Sequence, residues 1–179
     1  YAGYNRLIAP DRVGPSIQLA YCWAHARRKL IEITRTGPAP IAEEGVILIR
    51  ELYAIEAAIK GTDAATRLAA RQERAVPILA RLDDWLRHHR TRASAKSPLG
   101  EALAYIAKYR DGLGRFLTDG HIEIDNNTVE RTIRPIALNR KNALFAGHDA
   151  GAANWGVIAS LIETCKMNAV DPHAWLAST

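Results

Sequence analysis

Apolar residues recur every three or four positions through the middle of the chain, over residues 41–118. This spacing predicts amphipathic helices, each with one face turned toward a core. One helix is predicted over residues 41–60. A second is expected to follow an Asp63 cap and to run to Arg90, with a kink or break at Pro77 because proline lacks a backbone N–H. The inward residues of this second helix are predicted to be Leu68, Val76, Leu79, Leu82 and Leu86.

Serine and proline mark the start of a third helix in the same region. Ser97 followed by Pro98 has the pattern of a helix cap and a first-turn proline, so a helix is predicted from there to about Arg110. One further turn is predicted at residues 115–117. Residues 152–167 carry apolar positions at helical spacing and predict a closing helix near the C terminus.

The N-terminal part of the chain has a different pattern. Residues 1–8 predict a short helix, and residues 17–23 alternate and are rich in apolar side chains, which predicts a buried strand. A basic helix is expected to follow this strand and to end at the Gly-Pro-Ala-Pro run of residues 37–40. The polar side chains at the start of the basic helix are His25, Arg27, Arg28 and Lys29.

The composition is that of a globular protein that can bury a core, with 179 residues of which 48% are hydrophobic. The formal net charge of +5 is compatible with a polyanionic partner without requiring one. Two distant cysteines, Cys22 and Cys165, predict a reduced, cytoplasmic protein. Cys22 and His25 have a metal-like spacing, but a zinc site needs about four ligands and no second pair is near Cys165. No apolar run approaches the ~20 residues of a membrane helix.

Acidic, amide and basic side chains are concentrated between His121 and Pro135. They are Asp125, Asn126, Asn127, Glu130, Arg131 and Arg134. One interpretation is structural, because runs of Asp and Asn favour turns and helix caps. Asn127 and Glu130 have the spacing of a capping box, and Asp125 or Asn126 could provide the cap instead.

A second interpretation of the same stretch is chemical. A carboxylate at the start of a helix, followed by arginines, suits a divalent metal and a phosphate. Metal-dependent phosphoryl transfer uses carboxylates that hold two divalent ions. Glu130 is a credible ligand and Asp125 a weaker one, but the chain shows no second and third carboxylate on a predicted strand.

The predicted helical lobe is rich in arginine, and three of its arginines recur at helical spacing. Arg67, Arg71 and Arg74 are therefore expected to form one stripe on a helix. This stripe is either a solvated face, offset by nearby acidic residues, or a surface that follows DNA phosphates. Arg140 and Lys141 form a further basic segment after the Glu130 helix.

Several motifs resemble one family. Residues 125–135, Asp-Asn-Asn-Thr-Val-Glu-Arg-Thr-Ile-Arg-Pro, and residues 139–147, Asn-Arg-Lys-Asn-Ala-Leu-Phe-Ala-Gly, resemble the signature of the DDE transposases of the bacterial insertion-sequence-sixty-six family. Residues 22–30, Cys-Trp-Ala-His-Ala-Arg-Arg-Lys-Leu, resemble that family's strand before a helical insertion. Residues 1–4 resemble those that follow its second catalytic aspartate. The motifs lie in the family's order over nearly the whole chain.

The resemblance implies a fold and a division of the chain. The chain would be mainly α, the C-terminal part of a ribonuclease-H-like α/β core with about one or two strands and an all-helical insertion. Residues 1–36 would belong to the core as helix, strand and basic helix. Residues 37–118 would be the insertion, and residues 119–179 would hold the glutamate helix and the C-terminal helices of the core.

The resemblance also implies a chemistry. In that family two aspartates and one glutamate hold magnesium, and the enzyme cuts and joins DNA ends. The glutamate falls at Glu130, with Mg²⁺ or Mn²⁺ as the expected cofactor. The residues expected to contact DNA are His25, Arg27, Arg28, Lys29, Arg67, Arg71, Arg74, Arg131, Arg134, Arg140 and Lys141.

Both aspartates of the family would lie before Tyr1. We therefore expect this chain to be the C-terminal part of a transposase and to be inactive on its own. Its expected partners are transposon-end and target DNA, the N-terminal part of the same protein and other copies of the chain, without a membrane. The alternative is a non-catalytic, basic helical module that binds DNA or another partner and in which Glu130 only caps a helix.

Overall fold

The computed structural model describes residues 6–139 and 147–178 of the chain. These residues are mainly helical, as predicted, and no β-strand occurs among them. The chain divides into two compact units, which we call the N-terminal unit, ending at Asn126, and the C-terminal unit, beginning at Asn127. None of the helices in the described ranges is long and apolar enough to cross a membrane.

The N-terminal unit is built from helices joined by short turns. Its α-helices are α1 (Trp23–Thr34), α2 (Pro40–Ala58), α3 (Ala64–Ala70), α4 (Val76–Arg90), α5 (Pro98–Lys108) and α6 (Arg110–Leu113). A π-helical turn (Arg71–Ala75) joins α3 to α4, and a 3₁₀ turn (Arg115–Leu117) follows α6. Of the predicted helix over residues 1–8, the described residues 6–8 form a 3₁₀ turn, and the others lie outside the described part.

Helices α1, α2, α4 and α5 pack around one apolar core. Its fully buried side chains include Trp23, Leu30, Ile49, Leu82 and Leu103. The one polar atom of Trp23 is satisfied, because its Nε1 donates a hydrogen bond of 2.8 Å to the carbonyl oxygen of Leu113. Burial of this apolar surface is the main favourable term that holds the four helices together.

The predicted strand over residues 17–23 is not observed. Trp23 begins α1, and residues 17–22 have no regular secondary structure. Their backbone bonds to loops: the Tyr21 N–H donates to the Gly112 carbonyl at 3.0 Å, and the Trp23 N–H donates to the Ile124 carbonyl at 3.1 Å. A strand needs a neighbour to complete its ladder, and the described part of the chain supplies none.

Gly112 permits this crossing of the N-terminal segment. A Cβ atom at Gly112 would lie 2.1 Å from a ring carbon of Tyr21 and 2.9 Å from the Leu19 carbonyl oxygen. Only glycine allows the two backbones to approach so closely.

The long helix predicted after Asp63 is observed with an interruption. Asp63 caps α3, since its carboxylate accepts a bond of 3.0 Å from the Thr66 N–H. The π turn then precedes Pro77, whose ring and missing N–H disturb regular helical bonding in the preceding turn. The π turn changes the helical register, so Ala75 is buried and Val76, predicted to face inward, is exposed.

Two predicted helix starts are confirmed by their hydrogen bonds or bounds. The Ser97 side chain caps α5 by accepting a bond of 3.0 Å from the Gly100 N–H. The helix predicted over residues 41–60 is α2, which begins with Pro40 in its first turn.

The C-terminal unit contains α7 (Asn127–Asn139), α8 (Asp149–Met167) and α9 (Pro172–Ala177). The predicted closing helix is α8, which starts three residues earlier than expected. Cys165 is the only buried side chain among the described residues of this unit. Its large apolar side chains are exposed at Val129, Ile133, Leu138, Trp155, Val157, Ile158, Leu161, Met167, Val170 and Leu176.

Candidate functional site

Glu130 lies in the first turn of α7, which begins at Asn127. Asp125 and Asn126 directly precede this helix. Both the capping and the metal-binding interpretations require Glu130 to lie near a helix start, as it does. A carboxylate in the first turn is stabilised by the partial positive charge of the helix N terminus. Glu130 is half-buried, so it is neither sequestered in a core nor fully solvated. Pro135 lies inside this helix, which ends at Asn139.

The side chains around Glu130 divide α7 into two kinds of surface. Val129 and Ile133, four residues apart, share one apolar face, and both are about half exposed at 48% and 45%. Arg131 and Arg134 are exposed and polar. Glu130 follows Val129 by about 100° around the helix, so it lies at the margin between the apolar face and the basic one.

The segment that leads into α7 is tied to the N-terminal unit. Ile124 is buried, and its carbonyl accepts the bond from the backbone N–H of Trp23 described above. Glu123 pairs with Arg67, with 2.9 Å between Oε2 and Nη2. Two consecutive residues of this segment, Glu123 and Ile124, therefore provide a charged and an apolar anchor.

A third anchor of the same segment is the pair Tyr53–Asp125. The Tyr53 hydroxyl donates to Oδ2 of Asp125 at 2.9 Å. Burial raises the pKa of Tyr53, the hydrogen bond and the charge of Asp125 raise it further, and the nearby Arg27 opposes the shift. One Asp125 oxygen is therefore engaged within the N-terminal unit. No sequence pattern signalled this contact, because its two residues are 72 positions apart.

Arg71 occupies the interior of the N-terminal unit. It is completely buried, and its Nε and Nη2 donate to the two carboxylate oxygens of Glu56 at 2.8 and 2.7 Å. Its Nη1 donates to the carbonyl oxygens of Phe116 and Asp119 at 2.9 and 3.2 Å. A bidentate carboxylate and two carbonyls satisfy this buried cation.

The predicted arginine stripe is therefore not a surface. Arg71 lies inside, and Arg67, with 16% of its side chain exposed, is paired to Glu123 and lies 3.6 Å from Glu56. Arg74 alone of the three is well exposed. Arg71 is buried because it lies on the inward face of the α3–α4 region, together with Ala75 and the leucines of α4. No feature of the sequence identified Glu56 as the partner.

The basic residues predicted at the start of the first helix are all within α1. His25 is half-buried, and Arg27, Arg28 and Lys29 are exposed. Lys29 lies over the Tyr105 ring, with Nζ 5.0 Å from its centroid, a cation–π contact. The cations of α1 are exposed, as a contact with phosphate requires. Their role in DNA binding stays a prediction.

The described residues contain no group of three His, Cys, Asp or Glu side chains that could hold a metal ion. Cys22 and Cys165 are both buried free thiols. Arg140 and Lys141, two predicted DNA contacts, lie outside the described residues. Glu130 thus lies at a helix start beside arginines, and the described residues do not supply a complete metal-ligand set.

Comparison with known proteins identifies the chain's relatives. Residues 1–154 match the family described as Transposase IS66 family, and residues 160–179 match the IS66 C-terminal element. No solved structure matches the chain.

The curated relatives come from Sinorhizobium fredii and carry the name uncharacterized protein. The protein y4qI is 43% identical over 100% of the chain, which covers 34% of that relative. The protein y4jD is 41% identical over 90% of the chain and is covered to 32%. The protein y4hP is 38% identical over 99% of the chain and is covered to 34%. The chain thus spans about a third of the length of these relatives.

Proposed function

The chain belongs to the IS66 transposase family, and from that premise we propose that it is the C-terminal part of a transposase that cuts and joins DNA ends by metal-dependent phosphoryl transfer. Glu130 is the metal ligand that this chain contributes. The observation that carries the proposal is the position of Glu130: it lies in the first turn of α7, half-buried, with exposed arginines at Arg131 and Arg134.

The donor set fits a hard divalent cation. A carboxylate oxygen is the ligand that Mg²⁺ and Mn²⁺ prefer. When bound, such a metal neutralises charge on the phosphate and activates the attacking oxygen. In the proposal the two other carboxylates come from the part of the protein beyond this chain, on a ribonuclease-H-like core, and the chain alone is inactive.

In this proposal the arginines of α7 and the cations of α1 interact with the DNA. Arg131 and Arg134 stabilise charge on the phosphodiester as it rearranges, since fixed cations near developing charge lower the barrier. His25, Arg27 and Arg28, on α1 of the N-terminal unit, contact DNA in this proposal.

The exposed apolar side chains of the C-terminal unit support the idea of a larger protein. Val129 and Ile133 on α7, and Trp155 and Ile158 on α8, are each about half exposed. Several large apolar side chains exposed on two helices are consistent with an interaction surface. We propose that the rest of the transposase covers it, because the relatives are about three times as long as this chain.

The alternative is a non-catalytic helical module. The same exposed apolar side chains favour it, because a binding module also presents an apolar face to its partner. In this alternative Glu130 only stabilises the start of α7. The two functions differ in whether DNA cleavage requires the Glu130 carboxylate, and the following experiment measures this requirement.

The test is DNA cleavage by the intact protein with Mg²⁺, comparing wild type with Glu130→Gln. Replacing a residue one shell beyond a metal costs up to about 100-fold in activity, so loss of a ligand should cost more than about 100-fold. Glu101→Gln is the matched control, since Glu101 is an exposed carboxylate in the first turn of α5. Glu130→Gln should still bind DNA. Cleavage at the wild-type rate by Glu130→Gln would reject the metal-ligand role and leave the helical module.

A further inference from the structure

The turn between α4 and α5 is strongly basic. Residues 85–100 contain no aspartate or glutamate, whereas they contain four cations and two histidines. We call these six residues the basic turn: Arg87, His88, His89, Arg90, Arg92 and Lys96. The first four lie at the C-terminal end of α4, and the last two lie in the connection to α5.

Three cations of the basic turn are not neutralised by a neighbour. Arg90, Arg92 and Lys96 are exposed, and none forms an ion pair with any residue in the described ranges. Arg87 pairs with Asp84 at 2.9 Å, but both side chains are more than 70% exposed, so this pair is readily broken.

Elsewhere in the N-terminal unit several arginines have carboxylate partners. Arg71 binds Glu56, Arg110 binds Asp83, and Arg81 lies 2.7 Å from Glu51. Their positive charge is therefore offset locally. The basic turn differs from them because its charge is left available to an external anion.

The backbone of the basic turn is ordered by hydrogen bonds. The N–H groups of Arg92 and Ala93 donate to the His89 carbonyl at 3.1 and 2.9 Å. The Ser97 hydroxyl donates to the Ser94 carbonyl at 2.7 Å. The turn packs closely on α5, since a Cβ atom at Gly100 would lie 2.0 Å from the Ser94 carbonyl oxygen. The cations thus project from a folded turn, and less entropy is lost when they bind.

The electrostatics of α4 alone do not explain this cluster. Cations in the last turn of a helix are stabilised by its dipole, which accounts for Arg87 and Arg90. Arg92 and Lys96 lie beyond the helix, where the dipole effect has fallen off. The Arg92 guanidinium also contacts the His88 ring, which places two basic groups together.

We propose that the basic turn binds the phosphate backbone of duplex DNA, so that the helical lobe is a DNA-contacting arm of the protein. This deepens the proposed function, since it takes DNA as the ligand. The contact is to phosphates and not to bases, because contacts of Arg and Lys with phosphate oxygens carry no sequence information. It replaces the stripe of Arg67, Arg71 and Arg74, of which Arg71 is buried.

The test uses the 179-residue chain and a short duplex of arbitrary sequence, with affinity measured by fluorescence anisotropy over a range of salt concentrations. Each phosphate contact contributes about −0.9 to the slope of log K against log salt. The triple variant Arg90→Gln, Arg92→Gln, Lys96→Gln should reduce that slope by about 2–3 units and weaken binding by at least tenfold at about 50 mM salt.

The matched control removes the same charge elsewhere on the N-terminal unit. Arg35, Arg50 and Lys60 are exposed and form no ion pair with a described residue, and the triple change of these to Gln should leave the slope within about one unit. Thermal unfolding of both variants checks that they are folded.

Several results would overturn the proposal. One is a basic-turn variant that binds duplex DNA like wild type, and another is an equal loss in the control. No binding of the wild-type chain at low salt, or binding of anionic phospholipid vesicles in place of DNA, would do the same. None of these bears on the cleavage test of Glu130, so the two proposals fail separately. Loss of cleavage in Glu130→Gln with an unchanged basic-turn variant would keep the transposase and reject only this surface.

Discussion

The two units of this protein bury their apolar residues to very different extents. In the N-terminal unit the buried side chains form one cluster that includes Trp23, Ile49, Leu82 and Leu103, each inaccessible to solvent. In the C-terminal unit Cys165 is the only buried side chain among the described residues, although α8 alone is 19 residues long. The longest helices of the two units, α2 and α8, are both 19 residues long, so helix length does not explain the difference.

The comparison separates helix formation from core formation. A helix is stabilised in water mainly by burying an apolar face, not by its intrinsic propensity. Helix α8 exposes apolar residues on several sides, including Val157 at 60% and Ile158 at 49%, a pattern typical of a helix that is surrounded by protein. The N-terminal unit is therefore expected to fold as it stands, and the C-terminal unit to need a partner. The following predictions test that contrast.

The largest effect is expected from Arg71→Ala in the N-terminal unit. Removing Arg71 leaves the Glu56 carboxylate, of which 10% is exposed, without its bidentate partner. Breaking a buried ion pair in this way costs about 3–5 kcal/mol in the free energy of unfolding. The loss is measured by urea unfolding, followed by the fluorescence of Trp23 and Trp85, the tryptophans of this unit. Trp155 and Trp175 are changed to Phe in both proteins so that they do not contribute to the signal.

Arg74→Ala is the control for this substitution, because Arg74 is exposed on the same π turn and should change stability by less than about 0.5 kcal/mol. Replacing both partners of the buried pair, Arg71→Met with Glu56→Leu, should recover much of the loss, since no unpaired charge is left. Equal stability of Arg71→Ala and wild type would show that the pair is not buried in solution.

A smaller effect is expected from Tyr53→Phe in α2. The Tyr53 hydroxyl bonds Asp125 near the end of the N-terminal unit. The change removes the hydrogen bond to Asp125, which water can partly replace at this half-buried site, so the loss should be about 1 kcal/mol. The pH dependence gives its signature. The pKa of Tyr53 is raised in the folded protein, mainly by burial, so its stabilisation is present below the unfolded pKa of about 10 and decreases as the pH rises above it.

The difference in stability between wild type and Tyr53→Phe should therefore shrink between about pH 10 and 12, measured by urea unfolding at each pH. The pKa of Tyr105 is also raised by burial, but Tyr105 is present in both proteins and its contribution cancels. A difference that stays constant over this range would place the Tyr53 hydroxyl in solvent.

The sequence contained most of the local structure of the N-terminal unit. The Asp63 and Ser97 caps follow from side-chain chemistry that acts over three residues, and both are observed. Local patterns do not contain the partner of a residue that is distant in the chain. The Arg71–Glu56 pair spans 15 residues and the Tyr53–Asp125 pair spans 72, so neither was predicted.

The strand predicted over residues 17–23 is a second case in which a local pattern did not reveal the distant partner of a segment. Its alternation reflects inward and outward positions along an extended segment that lies on Gly112 and Ile124. Alternation cannot tell whether a neighbouring strand is present to complete a ladder. The position of Glu130 at the start of a helix was predictable, because the Asp-Asn-Asn run marks a helix start. A ligand set around Glu130 was not predictable, and the described residues contain no complete group of metal ligands.

The smallest effect should come from Leu161→Ala on α8, and it is the most direct test of the contrast between the units. Leu161 is already 39% exposed, so its truncation should change the stability of this chain by less than about 0.5 kcal/mol. Leu103→Ala is the same chemical change at a fully buried site of the N-terminal unit and should cost about 2–5 kcal/mol. In the longer protein, Leu161→Ala should become costly, by about 2 kcal/mol or more, because the partner surface then buries Leu161 and truncation leaves a cavity. Amide hydrogen exchange in α8 reports both cases. A large loss in the isolated chain would mean that α8 is already covered in solution, and dependence of that loss on protein concentration would identify a second copy of the chain as the cover.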